Sequence, residues 1–376
     1  MLRRLPILLL AGLTALGPAL ATEIQTVEPD EGAVLPFTAH TTTLDNGLKV
    51  IVVPTPFPNI VSVQIPVKTG SRNEVEEGKS GFAHFFEHMM FRGTPNYSAA
   101  EYDAIMARAG ARRNAYTTDD YTNYYATFAK SDLETILKVE ADRFQNLEYS
   151  VEDFKTESRA ILGEYNKNSA NPIRKLIEVQ RDHAFDVHPY QHTTMGFIED
   201  IEDMPNEFEY SRTFFERWYS PGNTAVIVAG DVEPKRVVSL VEKYWGDWEK
   251  SPGKAIEIPA EPKEHDGPVY AHVDWPAETL PFVTVAFHGP AFSTESKDWA
   301  ALNTLMDLYF GSTSDLYKRL VEEEQVVDQL FDYFPGNTDP YLTTVFARVK
   351  DPADALYVRD QILETFAEAR AEAVDS

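Results

Sequence analysis

The chain has 376 residues, 43% hydrophobic and 25% charged, enough for two domains that each bury a core. A formal net charge of −26 argues against nucleic acid or an anionic membrane surface as partner, because the phosphate-binding term would be repulsive, whereas a basic peptide would be attracted. Cysteine is absent, which excludes thiol catalysis, disulfides and a lipid-anchored cysteine.

Residues 1–21 read as an export signal. Arg3 and Arg4 precede an apolar run from Leu5 to Leu16, and Ala19-Leu20-Ala21 is a small-residue cleavage site. The run is too short to span a bilayer comfortably, so no stable membrane insertion is expected. An exported chain without disulfides fits a bacterial periplasm, with cleavage near Ala21.

Residues 22–38 are polar and aperiodic, an extended arm. Thr41 to Val53 reads as two strands around an Asn46-Gly47 turn, and Ile60–Val67 alternates as a third strand. An acidic loop, Ser71–Lys79, leads into a short helix containing His84, Glu87 and His88, with Ser80 as its candidate N-cap. His84 and His88 are four apart and share a helical face, so their imidazoles can hold one Zn²⁺. Glu87 lies beside that face, within reach of an attacking water. The pattern is H-x-x-E-H, the inverse of the common zinc-protease helix; an ordinary pair of helix histidines is the plain alternative.

Ser98 and Glu101 form a capping box for a helix to Ala109. Ala111 to Phe128 is a hairpin around Asp119-Asp120, its first strand carrying Asn114, Ala115 and Thr117. Helices follow over Asp132–Leu147, Ser150–Asn168 and from Pro172 to Phe185. His188–Met204 is loop-like, and Pro189 breaks the helix that a second metal site on His188 and His192 would need. Glu207–Tyr219 is helix, Thr224–Ala229 a buried strand and Pro234–Trp248 a helix. The proline-rich stretch 251–268 reads as a linker. Beyond it, Val269–Val273, Phe282–His288 and Tyr341–Val349 read as strands, and Lys297–Tyr309, Ser314–Glu324 and Ala353–Ala371 as helices. The order of elements at 60–109 recurs at 282–324, an internal duplication whose second copy has no histidine at the metal positions.

A catalytic zinc site needs a third protein ligand. Glu157 and Glu164, seven apart on one face of the Ser150–Asn168 helix, are the candidates, one to ligate and one to support a ligand. Geometry alone leaves the choice open, and a solvated acidic face would look the same.

The segments TLDNGLKVIV, SGFAHFFEHMMFRGT, NAYTTDDYTNYYA, ESRAILGEY, HPYQHTTMG and YSPGNTAVIVAGDV resemble the inverzincin peptidases of the pitrilysin, insulin-degrading enzyme and mitochondrial processing peptidase family. The resemblance implies an α+β fold of two homologous domains, each a mainly antiparallel sheet with packed helices, enclosing a peptide chamber. It implies a zinc metalloendopeptidase with one Zn²⁺ per chain. The family's glutamate ligand follows the second histidine by the separation of His88 and Glu164 here. Glu164 is therefore expected as third ligand, Glu157 as its partner in the catalytic set, and Glu87 as general base. It also implies that Asn114 and Ala115 bind an extended peptide or unfolded segment by strand addition. The domains expected are 39–250, which holds the metal, and 269–376, without metal ligands and shorter than a full repeat.

One feature of the pattern is missing. The family's second half carries an Arg and, seven residues later, a Tyr that reach the substrate carbonyl; Val321 and Asp328 stand there, and neither can donate to an oxyanion. The expectation is a zinc-bearing chain whose partner is a sister subunit that supplies the pair, or else a homodimer. The alternative is a non-catalytic peptide-binding or assembly subunit.

Overall fold

The computed structural model describes residues 23–29, 36–251, 256–261 and 267–371; the export signal expected at residues 1–21 lies outside them. Two sheets organise these residues. The first contains β1 (Gln25–Val27), β2 (Ala39–Thr43), β3 (Lys49–Pro54), β4 (Ile60–Val67), β5 (Arg112–Thr117), β6 (Thr122–Ala129) and β7 (Ala225–Gly230). Its order is β1-β2-β3-β7-β4-β6-β5; only β3 and β7 run parallel. The arm thus contributes an edge strand. The β2–β3 turn forms at Asn46-Gly47 as the sequence predicts. Asn46 also fastens it to the far end of the domain by donating to the Trp245 carbonyl at 2.7 Å.

Helices α1 (Phe82–Met89), α2 (Ala99–Arg108), α3 (Leu133–Asn146), α4 (Val151–Ser169), α5 (Pro172–Ala184), α6 (Ile198–Asp203), α7 (Phe208–Trp218) and α8 (Pro234–Trp245) accompany this sheet. The Ser98–Glu101 capping box starts α2, and Ser150 with Asp153 makes a second box at α4. The inward residues of β4 alternate as read: Val61, Val63, Ile65 and Val67 are all buried.

The second sheet is β8-β10-β9, from β8 (Phe282–His288), β9 (Val327–Tyr333) and β10 (Leu342–Val349), with helices α9 (Asp298–Phe310), α10 (Asp315–Tyr317) and α11 (Ala355–Ala371). The succession strand, helix, helix, strand, strand, helix at β4–α3 recurs at β8–α11, so the duplication extends further than the sequence suggested.

Several expectations fail locally. Val269–Val273 forms no strand; Val269 and Tyr270 are exposed and lack a partner strand among the described residues. The helix expected at 314–324 is α10 followed by a π-helical turn over Lys318–Glu323. The loop-like 188–204 segment contains α6, and α8 stops at Trp245. The strand β9 carries no clear strand pattern in the sequence, because its apolar residues alternate only weakly with Asp and Gln.

The domains meet at the β5–β6 turn. Asp120 accepts from the Tyr190 hydroxyl at 2.6 Å and from the Thr338 amide at 3.0 Å. Asp339 accepts from Arg72 and from His188 at 2.9 Å, and Tyr341 packs edge-on to Tyr190 with centroids 5.0 Å apart.

Candidate metal and catalytic site

Helix α1 is held by its phenylalanines. Phe82, Phe85, Phe86 and Met89 are fully buried, and Phe86 stacks on Phe214 of α7 at 5.6 Å while Phe85 meets Phe154 of α4 at 5.0 Å. Fixing that face points His84 and His88 toward α4. The buried Phe154 and Ile161 dock α4 with its two glutamates facing the histidines.

The geometry distinguishes Glu157 from Glu164. Glu164 Oε2 lies 3.8 Å from His84 Nε2 and 3.5 Å from His88 Nε2. One ligand atom from each of His84, His88 and Glu164 lies within 4.8 Å of the others, and among the described residues no other trio does so. Donors about 2.0–2.2 Å from one ion stand apart by comparable distances, so two imidazoles and a carboxylate fit a zinc-like cation. Glu157 approaches the other ring nitrogen, accepting from His88 Nδ1 at 3.0 Å, and its second oxygen accepts from Arg92. That bond selects the tautomer whose Nε2 lone pair is free toward Glu164.

Charge is distributed accordingly. Burial, then the neighbouring His88, pulls His84 down to about 4, which keeps it an unprotonated donor. Burial also acts against charge on His88, but the Glu157 carboxylate outweighs it and leaves His88 raised. Glu157 is lowered: burial opposes its charge, and His88 and Arg92 overcome it. Glu87 is raised by burial, against the hydroxyl of Thr117, which donates to its Oε2 at 2.7 Å.

Asn114 is exposed on β5 and Ala115 buried. β5 ends the sheet, with β6 its sole strand partner among the described residues. The Thr118 amide bonds the Tyr121 carbonyl, which sets the ladder so that Asn114 bonds β6 while Ala115 turns its N–H and C=O to the open side. A cavity of about 530 Å³ adjoins the end of β5, lined by Thr117, Tyr165, Arg174, Glu178 and Tyr333 among others. In the second domain, Val321 lies in the π-helical turn, and Asp328 is tied to Arg348 at 2.6 Å.

The Ser80 cap does not form. Gly81 is the N-cap, at φ +88°, and the first amides of α1 are taken by Glu74: Gly81 N donates to it at 2.7 Å and Ala83 N at 2.6 Å. Ser80 instead donates to Asp200 and accepts from the Phe197 amide. Sequence reasoning also left Thr117 and Arg92 without roles. Arg92 stands four residues after His88, just past the end of α1, a spacing visible in the sequence; Glu74 had no such signal, since its partners come from the chain folding back.

Residues 49–196 match the family described as Insulinase (Peptidase family M16), and residues 208–376 match the Peptidase M16 inactive domain. The chain belongs to peptidase family M16. Its sequence is 33% identical to the zinc protease PqqE of Helicobacter pylori over 77% of this chain and 65% of that protein. It is 33% identical to a probable mitochondrial-processing peptidase subunit beta of Schizosaccharomyces pombe over 56% of this chain and 46% of that one. The chain thus spans about two thirds of the first relative and under half of the second. A solved protease structure from Helicobacter pylori superposes with a TM-score of 0.83, covering 95% of this chain and 82% of that one at 29% identity. The fold is the two-domain M16 arrangement, with the His84–His88–Glu164 cluster in the first domain.

Proposed function

We propose that this M16 chain is a zinc metalloendopeptidase that hydrolyses peptides or unfolded segments, holding one Zn²⁺ through His84, His88 and Glu164. The observation that carries the reading is the convergence of those three donors with Glu87 beside them on the same helix. Bound there, zinc would supply Lewis-acid polarisation and lower the pKa of water. Glu87 takes the proton of the attacking water and returns it to the leaving amine, its burial-raised pKa suiting both transfers. Thr117 aims Glu87 by its hydroxyl, and Glu157 fixes the His88 ring. The open edge of β5 pairs an extended substrate through the backbone of Ala115, and Asn114 binds its main chain from the same strand.

The second domain offers no oxyanion donor at Val321 or Asp328, and a second copy of this chain would bring the same two residues, so a sister subunit bearing an Arg and a Tyr completes the site. The leader-like residues 1–21 support export to the periplasm.

The test pairs metal analysis with Glu87→Gln. Wild type should take up one zinc per chain; the variant should keep the zinc and lose cleavage of an unfolded peptide by about 10²–10⁴-fold. A Glu87→Gln protein that cleaves at the wild-type rate would remove the general base. Full activity of the purified monomer would remove the need for a partner.

A further inference from the structure

Glu74 is buried, with 4% of its surface exposed, and no step above uses it. Its two carboxyl oxygens take one amide each, Gly81 N and Ala83 N, the residues on either side of Phe82 at the start of α1. Those donors would otherwise be orphans, since a helix leaves its first amides unpaired and Gly81 has no side chain to cap them. The next residue is His84.

The segment that carries Glu74 is fixed independently. Gly70 lies so close to the β5–β6 turn that a Cβ there would stand 2.3 Å from the Thr118 carbonyl oxygen. Ser71 donates to Asp119 at 2.9 Å, and the Arg72 amide donates to the Asp119 carbonyl at 2.8 Å. That turn follows Thr117, which holds Glu87. Glu74 therefore joins the start of the ligand helix to the strand end that aims the base.

Resting on the zinc-site reading above, we infer that Glu74 is a positioning residue of this site: its carboxyl sets the first turn of α1 so that the His84 and His88 donors meet Glu164. The side chain must present an acceptor to both amides. Glutamine cannot, because one of its two ends is an N–H₂ that would face a backbone N–H. The position of His84, one residue beyond the second bond, moves with it.

The test is Glu74→Gln, with Val237→Ala as a control that destabilises the same domain from α8, away from α1. Zinc affinity is measured by chelator competition on folded protein, amide exchange is read at Gly81 and Ala83, and kcat and KM are measured with an unfolded peptide. Glu74→Gln should weaken zinc about tenfold, speed exchange at both amides and lower kcat with KM unchanged; Val237→Ala should leave zinc affinity at the wild-type value. Should Glu74→Gln not fold, Glu74→Asp, which keeps both acceptors but is one methylene too short to reach the Gly81 and Ala83 amides together, should weaken zinc in the same direction, and wild-type zinc affinity in that variant would overturn the inference. Wild type that takes up no zinc would overturn the reading of the site itself. Wild type that binds zinc, with Glu74→Gln binding it equally well, would overturn this inference alone.

Discussion

Replacing Glu157 by glutamine tests whether the ring orientation of His88 is set by its carboxylate partner. Glu157 is 3% exposed and uses both oxygens, one on His88 Nδ1 at 3.0 Å and one on Arg92. Glutamine keeps one oxygen and puts an N–H₂ in place of the other. If the N–H₂ faces Arg92, two donors oppose each other. If it faces His88, the ring must carry its proton on Nε2, the atom 3.5 Å from Glu164, and that nitrogen then cannot ligate. Either arrangement removes a charge-assisted bond, and partners of metal ligands typically contribute about 10–100-fold in affinity, or about 1.4–2.7 kcal/mol. Zinc dissociation from Glu157→Gln, followed by chelator competition, should rise by that factor with the circular dichroism spectrum unchanged. A folded Glu157→Gln protein that holds zinc as tightly as wild type would refute the argument, and would mean that packing alone orients His88.

Removing the Phe214 ring, which is fully buried and stacked on Phe86, should cost about 3–5 kcal/mol and lower the melting temperature of the first domain. Gly81→Ala places a side chain at φ +88° with its Cβ 2.4 Å from Ile201 Cδ1, and a loss of about 1–3 kcal/mol should appear in the same melting experiment. The domain contact should weaken in acid. Burial opposes charge on Asp339, but Arg72 and His188 outweigh it and hold its carboxyl below the usual range. Its stabilisation is therefore complete above the unfolded value of about 4 and disappears as pH falls through the lower folded value. Protease sensitivity of the 251–268 stretch, measured against pH, should rise in that window, and Asp339→Asn should give the same sensitivity at neutral pH.

The two histidines were legible because helical periodicity is local: a four-residue spacing puts side chains on one face whatever surrounds them. The Ser98–Glu101 box and the Asn46-Gly47 turn were legible for the same reason, since each bond closes within a few residues. β4 showed its buried face directly in the alternation of Ile60–Val67. The third ligand was only half legible. Periodicity placed Glu157 and Glu164 on one face, and family resemblance chose between them, but only the docking of α4 against α1 brings Glu164 between the Nε2 atoms and Glu157 to Nδ1.

What tertiary structure decided is what depends on chain crossing long separations. Ser80 satisfies every local rule for a helix cap, yet Asp200, far along the chain, captures its hydroxyl, and Glu74 takes the amides it would have bonded. Val269–Val273 has strand chemistry and forms no strand, because a strand exists only where another offers its backbone. Local sequence thus determined which side chains could do chemistry on one helix; the packing of phenylalanines and the pairing of distant backbone determined where those side chains point.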